Sequence, residues 1–276
     1  MSVLAPSAEP SVRVPLLARY RAAAAVHYGL CEGPELVRLT AAPWDGGSPT
    51  GVRDDALAVE WLTPCAPSKI ICIGHNYIEH VRESLTVTGA KEPPAEPLFF
   101  FKPPSSALPS GGAIEHPGEG QRLDPEGEVA LVIGKRARHV AVEHALAHVA
   151  GITAFNDVSA RDWQKRDGQW ARAKGCDTFA PFGPVIALGA SPLDVAFELR
   201  VNGEVRQRAR TSTMHFGPAF LVHHLSRYMT LEPGDVIATG TPAGIAPIVA
   251  GDRVEVEVEG VGVLTNTVTA LSGATP

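Results

Sequence analysis

The sequence has little cysteine and no cysteine motif. Its 276 residues include four cysteines, which form no Cys-x-x-Cys pair and no zinc-ribbon spacing. A chain of this length with 45% hydrophobic residues can build a large core without disulfides. We therefore expect four reduced thiols, buried in the fold, and we exclude a small disulfide-stapled scaffold.

Long hydrophobic runs and an excess of positive charge are also absent. No apolar run reaches the roughly 18 residues that a membrane-spanning helix needs. The first residues hold two prolines and no long apolar stretch, which is atypical of a secretory signal. Lys and Arg number 24 against 30 Asp and Glu, a net charge of −6, so nothing favours a nucleic-acid or membrane partner. We expect a cytoplasmic globular protein.

Glycine, proline and short alternating segments are plentiful, and they predict strands joined by turns. The 27 glycines and 24 prolines indicate many turns. A hairpin is predicted over residues 197–207, because both central residues of its Asn202-Gly203 turn favour positive φ. Further strands are predicted over 69–74, 98–102, 128–134, 151–156, 236–239 and 253–259, and helices over 77–85, 142–149 and 219–229. Strands outnumber helices without βαβ alternation, so we predict a mostly β, α+β fold.

The first quarter of the chain differs in composition from the rest. Residues 14–40 predict short strands separated by turns at Gly29 and at Gly33-Pro34. A Gly- and Asp-rich stretch follows, and then a proline-rich link at 64–67. We therefore predict a small β-rich N-terminal module in residues 1–66 and the main domain in 67–276.

Three carboxylates lie where they could share a metal ion. Glu126 and Glu128 are two apart at the start of a predicted strand, so their side chains face the same side. Carboxylates this close repel each other unless they share a cation or a proton. Asp157 ends an apolar strand, where a buried acid is costly unless it is paired or binds a metal. Oxygen ligands alone favour Mg²⁺ or Mn²⁺, and a solvated strand edge stays the open alternative.

Two histidine arrangements differ in what they predict. His80 and Glu83 are spaced i, i+3 on a helical turn, so the carboxylate can orient the imidazole and keep it basic. Such a dyad suits a general base, although spacing alone leaves a purely structural role open. His144 and His148 lack the His-Glu-x-x-His order of zinc helices, and we interpret them as structural.

Taken together, several stretches resemble the fumarylacetoacetate hydrolase family in their order and spacing. The clearest are KIICIGHNYIEHVRES (69–84), DPEGEVALVIGKRARHV (124–140) and LEPGDVIATGTPAGI (231–245). The resemblance covers nearly everything after residue 66, and the N-terminal module resembles the segment that precedes this domain in many bacterial members. It implies a mixed β-sandwich or roll with a few helices, assembled as a homodimer.

The resemblance also implies roles for individual residues. A divalent ion, Mg²⁺ or Mn²⁺, would be held by Glu126, Glu128 and Asp157. The implied catalytic residues are His80 and Glu83, carried on a lid segment, and Lys174; the implied substrate-binding residues are Tyr77, Arg161, Gln164 and Thr241. One departure is His75, where relatives carry Arg or an apolar residue, so the mouth of the site differs.

The implied activity is hydrolysis of a C–C bond in acylpyruvate-like 2,4-dioxo acids through a metal-bound enolate. His80 would activate water and Arg161 would hold the acidic end of a small-molecule 2-oxo acid substrate. Two alternatives use the same site: oxaloacetate decarboxylation, and isomerisation of a 2-oxo acid or hydroxymuconate. A third is a catalytically inactive metabolite-binding homologue, which the complete set of site residues argues against.

Overall fold

The computed structural model describes residues 14–83, 94–118 and 121–270 of the chain. Of the loop predicted at 86–97, the part before residue 94 lies outside the described residues. The strands are β1 (Leu16–Ala22), β2 (Ala25–Glu32), β3 (Glu35–Leu39), β4 (Pro49–Asp55), β5 (Glu60–Trp61), β6 (Ile70–Gly74), β7 (Leu98–Lys102), β8 (Ala107–Leu108), β9 (Ala113–His116), β10 (Leu123–Asp124), β11 (Gly127–Ile133), β12 (Val149–Asn156), β13 (Ser159–Ala160), β14 (Ala180–Leu188), β15 (Ala196–Val201), β16 (Glu204–Arg210), β17 (Val236–Ala238), β18 (Arg253–Val258) and β19 (Gly262–Ala270). The α-helices are α1 (Ile78–Glu83), α2 (Arg161–Asp167), α3 (Ala171–Gly175) and α4 (Pro218–Tyr228), and short 3₁₀ helices cover Pro43–Asp45, Pro104–Ser106, Val142–His148 and Thr211–Thr213.

Two mixed sheets form the body of the molecule, which confirms the predicted mostly β fold. The larger sheet runs β4-β3-β2-β1-β14-β12-β11-β17-β6-β7, with β5 and β8 attached to its side. The smaller runs β16-β15-β18-β19-β9. Most neighbours are antiparallel, but β17 and β6, β14 and β8, and β19 and β9 pair in parallel. A layered arrangement follows, because β11, β12 and β14 contact strands of the smaller sheet.

Strand β11 is buried along its whole length because both of its faces are covered. Val129, Leu131 and Ile133 pack in the core between the two sheets, while Ala130 and Val132 pack in a smaller core on the opposite face. A central strand covered on both sides is a continuous apolar run, as this sequence is. Glu128 and Ala130 are two residues apart on β11, so both side chains lie on the face away from the smaller sheet.

The N-terminal strands extend the larger sheet, and one predicted turn among them is wrong. Gly29 lies inside β2, opposite Ala18, and not in a turn. A Cβ on Gly29 would lie 3.0 Å from the ring of Tyr20, so the glycine makes room for that side chain. The chain reverses instead at Ala23 and Ala24, whose φ values of 48° and 64° are those of a tight two-residue hairpin turn.

Most predicted elements of the main domain are confirmed, and one helix is of the 3₁₀ type. The 197–207 hairpin turns at Asn202 and Gly203, both with positive φ. The helix predicted over 219–229 is α4. The helix predicted over 142–149 is a 3₁₀ helix over Val142–His148. Since a 3₁₀ helix has three residues per turn, His144 and His148 do not share a face there.

Within the described residues, no helix is long and apolar enough to cross a bilayer. The four cysteines are free thiols, as predicted, although Cys31 and Cys176 are only partly buried.

Candidate active site

Strand register brings two of the predicted metal ligands together. Gly127 at the start of β11 pairs with Asn156 at the end of β12. The residues that flank this pair, Glu126 and Asp157, therefore lie side by side, and the Asp157 N–H donates to the Glu126 carbonyl at 2.8 Å. The Asn156 side chain adds a second link between the two strand ends, because its Oδ1 accepts a hydrogen bond from the Glu126 N–H at 3.0 Å.

Glu128 joins them from the next position on the same face of β11. Its Oε2 accepts a hydrogen bond of 2.7 Å from the N–H of Gly240, in the loop that leaves β17. Ligand oxygens of Glu126, Glu128 and Asp157 all lie within 4.8 Å of one another, and all three side chains are buried. The structure thus assembles the predicted acidic triad at the shared end of three strands.

Two lysines and an arginine neutralise much of this triad. Lys174 Nζ, from α3, bridges Glu126 Oε2 at 2.6 Å and Asp157 Oδ2 at 2.7 Å. Lys102 Nζ, at the end of β7, lies 2.6 Å from Asp157 Oδ1 and donates to three backbone carbonyls. Arg161 donates from its guanidinium to Glu126. Each cation thus approaches the triad from a different element.

Burial and neighbouring charge set the ionisation of the glutamates in opposite directions. Burial disfavours the charge on Glu126, but Arg161, Lys174 and His80 outweigh it and hold the pKa of that carboxyl well below its usual value. Burial, together with the charges of Asp157 and Glu126, raises the pKa of Glu128 well above its usual value. Of the two glutamates, Glu128 is therefore the one whose ionised form a further cation would stabilise more.

The donor set fits a hard divalent ion. Seven charged side chains are buried here: Lys102, Asp124, Glu126, Glu128, Asp157, Arg161 and Lys174. Four are acids and three are bases, and the partly exposed Arg122 also pairs with Asp124 at 2.9 Å. The three triad carboxylates still lie within 4.8 Å of one another, and a cation would relieve their mutual repulsion. Carboxylate oxygens without sulfur or imidazole are the ligands that Mg²⁺ and Mn²⁺ prefer. Lys174 would have to share its two carboxylates with such an ion.

The predicted dyad lies directly beside the triad. His80 Nδ1 is 3.4 Å from Glu83 Oε2, and His80 Nε2 is 3.7 Å from Glu126 Oε1. Glu83 also accepts hydrogen bonds from the N–H groups of Gly244 at 3.0 Å and Ile245 at 3.4 Å. Burial opposes its ionisation, but these hydrogen bonds and His80 lower the pKa of Glu83. The short helix α1 is thereby fastened to the loop after β17.

Two adjoining cavities open from this cluster. The inner cavity, of about 20 Å³, is lined by the triad, His80, Lys174 and Thr241 and is large enough for about one water molecule. The outer pocket has a volume of about 800 Å³. Both are lined by His75, Phe100, Gln164 and Trp170. The outer pocket is therefore the approach to the inner cavity.

The predicted substrate-binding residues fall into two groups. Arg161, Gln164 and Thr241 line the inner cavity, whereas Tyr77 lines neither cavity. The Tyr77 ring packs edge-to-face against Phe197 in the core between the sheets, and its hydroxyl has no hydrogen-bond partner among the described residues. A substrate contact for the Tyr77 side chain thus has no support from its position.

The guanidinium of Arg161 donates to three protein groups. Its Nε donates to Asp124 Oδ2 at 2.8 Å, its Nη1 to Gln164 Oε1 at 2.9 Å, and its Nη2 to Glu126. We predicted that Arg161 holds the acidic end of the substrate. In the structure it bonds Asp124, Gln164 and Glu126 through three of its five N–H donors, so two donors remain for a substrate.

Sequence reasoning missed three residues that support the site. Lys102 ends an apolar strand as a buried charge, which is the same signal that singled out Asp157. Asp124 continues the alternate spacing of Glu126 and Glu128 by one step. Gln207 gave no signal: its amide accepts from the Gly127 N–H and donates to Thr241 Oγ1, both at 2.8 Å, through a contact between distant strands.

The chain belongs to the fumarylacetoacetate hydrolase family. Residues 69–269 match the Fumarylacetoacetate (FAA) hydrolase C-terminal family, and residues 16–64 match the Rv2993c-like, N-terminal family. Members of this family that resemble the chain are enzymes, and they include a tautomerase, an isomerase and a hydrolase.

Three relatives indicate the range of chemistry. The mitochondrial oxaloacetate tautomerase FAHD2A of Homo sapiens is 40% identical over 223 residues, which are 76% of this chain and 69% of that protein. The structure of 2-hydroxyhepta-2,4-diene-1,7-dioate isomerase from Mycobacterium marinum superposes with a TM-score of 0.85 at 38% identity, covering 94% of this chain and 99% of that one. Maleylpyruvate hydrolase from Sphingobium sp. SYK-6, in complex with manganese(II) and pyruvate, has a TM-score of 0.74 at 27% identity, covering 92% and 99%.

Proposed function

We propose that this protein is a divalent-metal-dependent enzyme that moves a proton at C3, the carbon next to the carbonyl of a 2-oxo acid. The reaction it supports best is keto–enol tautomerisation or double-bond isomerisation. The observation that carries the proposal is the His80–Glu83 dyad, whose Nε2 lies 3.7 Å from a carboxylate of the acidic triad. A base is thus held beside the site where a 2-oxo acid would be bound.

His80 is well arranged to take up and return a proton. An Nδ1–H directed to Glu83 leaves the Nε2 lone pair facing the cluster, and the carboxylate stabilises the imidazolium that forms. Glu83 is itself fixed by backbone N–H groups of Gly244 and Ile245. The dyad therefore needs little reorganisation when the proton moves.

Lys174 supplies the positive charge that proton removal requires. A divalent ion on Glu126, Glu128 and Asp157 would act as a Lewis acid toward the carboxylate and 2-oxo oxygen of the substrate. The buried ammonium of Lys174 lies between two of these carboxylates, where it stabilises negative charge that develops on the 2-oxo oxygen. Phe100 and Trp170 border this position and limit the access of water.

The second candidate is hydrolysis of a C–C bond in an acylpyruvate-like acid, which we predicted first from the sequence. The same dyad could activate water, and the outer pocket has room for an acyl group. We rank it second by a small margin: the tautomerase and the isomerase are 40% and 38% identical to this chain, and a fumarylacetoacetate hydrolase from Exiguobacterium antarcticum is 36% identical. Decarboxylation of oxaloacetate is a further outcome for the experiment to detect.

Proton NMR with two substrates separates these reactions. Oxaloacetate and acetylpyruvate are incubated separately with the protein in Mg²⁺, and then in EDTA. Metal-dependent acceleration of the oxaloacetate enol–keto exchange, without pyruvate, supports the tautomerase. Acetate and pyruvate from acetylpyruvate would support the hydrolase, and pyruvate from oxaloacetate above the metal blank would support the decarboxylase.

The variant His80→Gln tests the dyad in the same assay, with the exposed His144→Gln as a matched control. We expect His80→Gln to lower turnover by about 10²- to 10⁴-fold, the usual contribution of a general base. His144→Gln should retain the wild-type rate. Equal rates in both variants would contradict the proposal.

We propose in addition that the protein is a homodimer and that residue 66 divides its N-terminal module from its catalytic domain. Light scattering after size-exclusion chromatography tests the first, and expression of residues 67–276 alone tests the second.

A further inference from the structure

We propose that the outer pocket is a substrate subsite for an uncharged, planar apolar group at the distal end of the 2-oxo acid, selected by His75 and Trp170. This inference rests on the proposed function and extends it, because it names the class of substrate. A small dicarboxylic acid would leave the subsite empty.

The two cavities form one path. His75, Phe100, Gln164 and Trp170 contribute to the walls of both, so a molecule bound at the triad continues outward past these side chains. The inner cavity has room for about one water molecule, so a substrate can place little more than one small group there unless side chains move. The remainder of any longer substrate must lie in the outer pocket, whose 800 Å³ is within the usual range for small-molecule sites.

His75 is held rigidly at this junction. Its backbone has a φ of 59°, a conformation that residues other than glycine rarely adopt. The next residue, Asn76, fixes the turn: its Nδ2 donates to the carbonyls of Phe216 at 3.0 Å and Thr239 at 2.7 Å, and its Oδ1 accepts from the Phe216 N–H at 2.8 Å. Backbone strain that the surroundings enforce is typical of functional positions.

The His75 side chain presents an uncharged surface to the path. Its ring packs edge-to-face on Trp170 with centroids 6.1 Å apart, and Trp170 packs likewise on Phe100 at 5.2 Å. Burial, together with the positive charges of Lys174 and Arg161, lowers the pKa of His75 to about 4, so the imidazole is neutral at neutral pH. The junction therefore offers aromatic faces and edges.

One side of the outer pocket is apolar, whereas Gln164, Lys165 and Gln169 line another part of it. Leu98, Phe99 and Phe101 of β7 line the apolar side, and two of them are largely exposed: Leu98 at 41% and Phe101 at 48%. Among the described residues that line the pocket, Lys165 is the one charged side chain. An apolar wall with aromatic rings gains most from a flat, uncharged group that removes this surface from water.

Calorimetric binding of two 2-oxo acids at keto–enol equilibrium tests the subsite through affinity and not through rate. Pyruvate and phenylpyruvate share the chelating end, and phenylpyruvate adds a planar apolar group. With the protein in saturating Mn²⁺, we expect phenylpyruvate to bind about 10- to 100-fold more tightly, from the area that the ring buries. Equal affinities would overturn this inference alone, whereas the absence of binding by both acids would overturn it together with the proposed function.

Two variants test whether the preference for phenylpyruvate arises in the outer pocket. Leu98→Asp places a charge on the outer wall, and Trp170→Leu removes the aromatic face; each should reduce the preference for phenylpyruvate at least 5-fold. Leu193→Asp is the matched control, since Leu193 is an exposed leucine outside the residues lining the pocket, and it should keep the preference. An unchanged preference in both test variants would overturn the assignment of the subsite to this pocket.

A third probe separates an uncharged from an anionic distal group. A 2-oxo acid with a benzoate in place of the phenyl group carries a distal carboxylate that Lys165 could reach. Weaker binding than phenylpyruvate supports the proposal. Tighter binding that is lost in Lys165→Gln would overturn it in favour of a distal anion.

Discussion

Two regions of the molecule use the same residue types in opposite ways. On the outer face of β15, β16 and β18, Arg200 bonds Glu257 and Arg208 bonds Glu198, both at 2.8 Å, with side chains that reach water. At the end of β11 and β12, Glu126 and Asp157 bond Lys174 at similar distances with all three side chains buried. Geometry alone does not distinguish the two regions; burial does.

The difference in burial determines what each region can contribute. An exposed ion pair stabilises a protein by about 0–1 kcal/mol, because water solvates both partners before and after folding. A buried ion costs several kcal/mol of solvation, which even good pairing only partly offsets. The three triad carboxylates lie within 4.8 Å of one another, so their mutual repulsion adds to this cost, and their oxygen donors fit a hard divalent ion.

The largest effect should follow from replacing a buried ligand. Asp157→Asn removes one of three carboxylates and one partner of Lys174, while keeping the size of the side chain. We expect Mn²⁺ affinity to fall by more than about 100-fold, with turnover falling too, as measured by calorimetry and by the NMR assay. The exposed Asp194→Asn should change neither. Near-wild-type turnover of Asp157→Asn in saturating Mg²⁺ would show that the ion site is elsewhere.

The buried ammonium of Lys102 should contribute to the free energy of unfolding as well as to the site. Lys102→Met removes the cation beside Asp157 Oδ1 and a donor to three buried backbone carbonyls. Breaking a buried pair in this way costs about 3–5 kcal/mol, measurable as the free energy of unfolding in urea. Lys135→Met, at an exposed position, is the control and should change stability little. If both variants unfold alike, the cluster is more solvated than its burial indicates.

Acidification should reveal the buried neutral imidazole of His75. Its pKa is lowered to about 4 in the folded protein, whereas the unfolded chain binds the proton near pH 6.5. Its contribution to stability is therefore present above pH 6.5 and is lost as the pH falls toward 4. Denaturation curves across this interval should show up to about 3 kcal/mol more loss for wild type than for His75→Gln. The control variant His144→Gln should lose the same stability as wild type across this interval. If His75→Gln also does so, the His75 ring is solvated and the prediction is wrong.

The smallest effect belongs to the exposed region. Glu198→Gln removes a carboxylate that pairs with Arg208 and Arg200. We expect a loss of less than about 1 kcal/mol, reduced further at high salt, with turnover unchanged. Unfolding in urea at low and high ionic strength measures it. A loss as large as that of Lys102→Met would remove the distinction between the two regions.

The acidic triad was predictable in part because its signals are local. Glu126 and Glu128 follow from strand alternation, and Asp157 from a charge at the end of an apolar run. Their meeting depends on the pairing of Gly127 with Asn156, a register that no local pattern encodes. The partners supplied by distant elements, such as Gln207 and the groups that Arg161 bonds, depend on the same long-range packing.

Turn chemistry explains the main error in the fold. Glycine at residue 29 favoured a turn, but its lack of a side chain serves to accommodate Tyr20 across the strands. The turn at Ala23 and Ala24 uses residues that seldom adopt positive φ, so tertiary pairing of β1 with β2 and β14 overrides local preference. In contrast, the Asn202-Gly203 turn was predictable, because there local preference and tertiary structure agree.

Deuterium exchange into the methyl group of pyruvate tests the central claim most directly. In D₂O with Mg²⁺, the account predicts that the wild-type protein accelerates the loss of the methyl proton signal. EDTA should abolish this acceleration, and His80→Gln should lower it by about 10²-fold or more. Exchange at the rate of the metal-only blank, or equal exchange in His80→Gln and wild type, would contradict proton transfer by the dyad at a metal-dependent site.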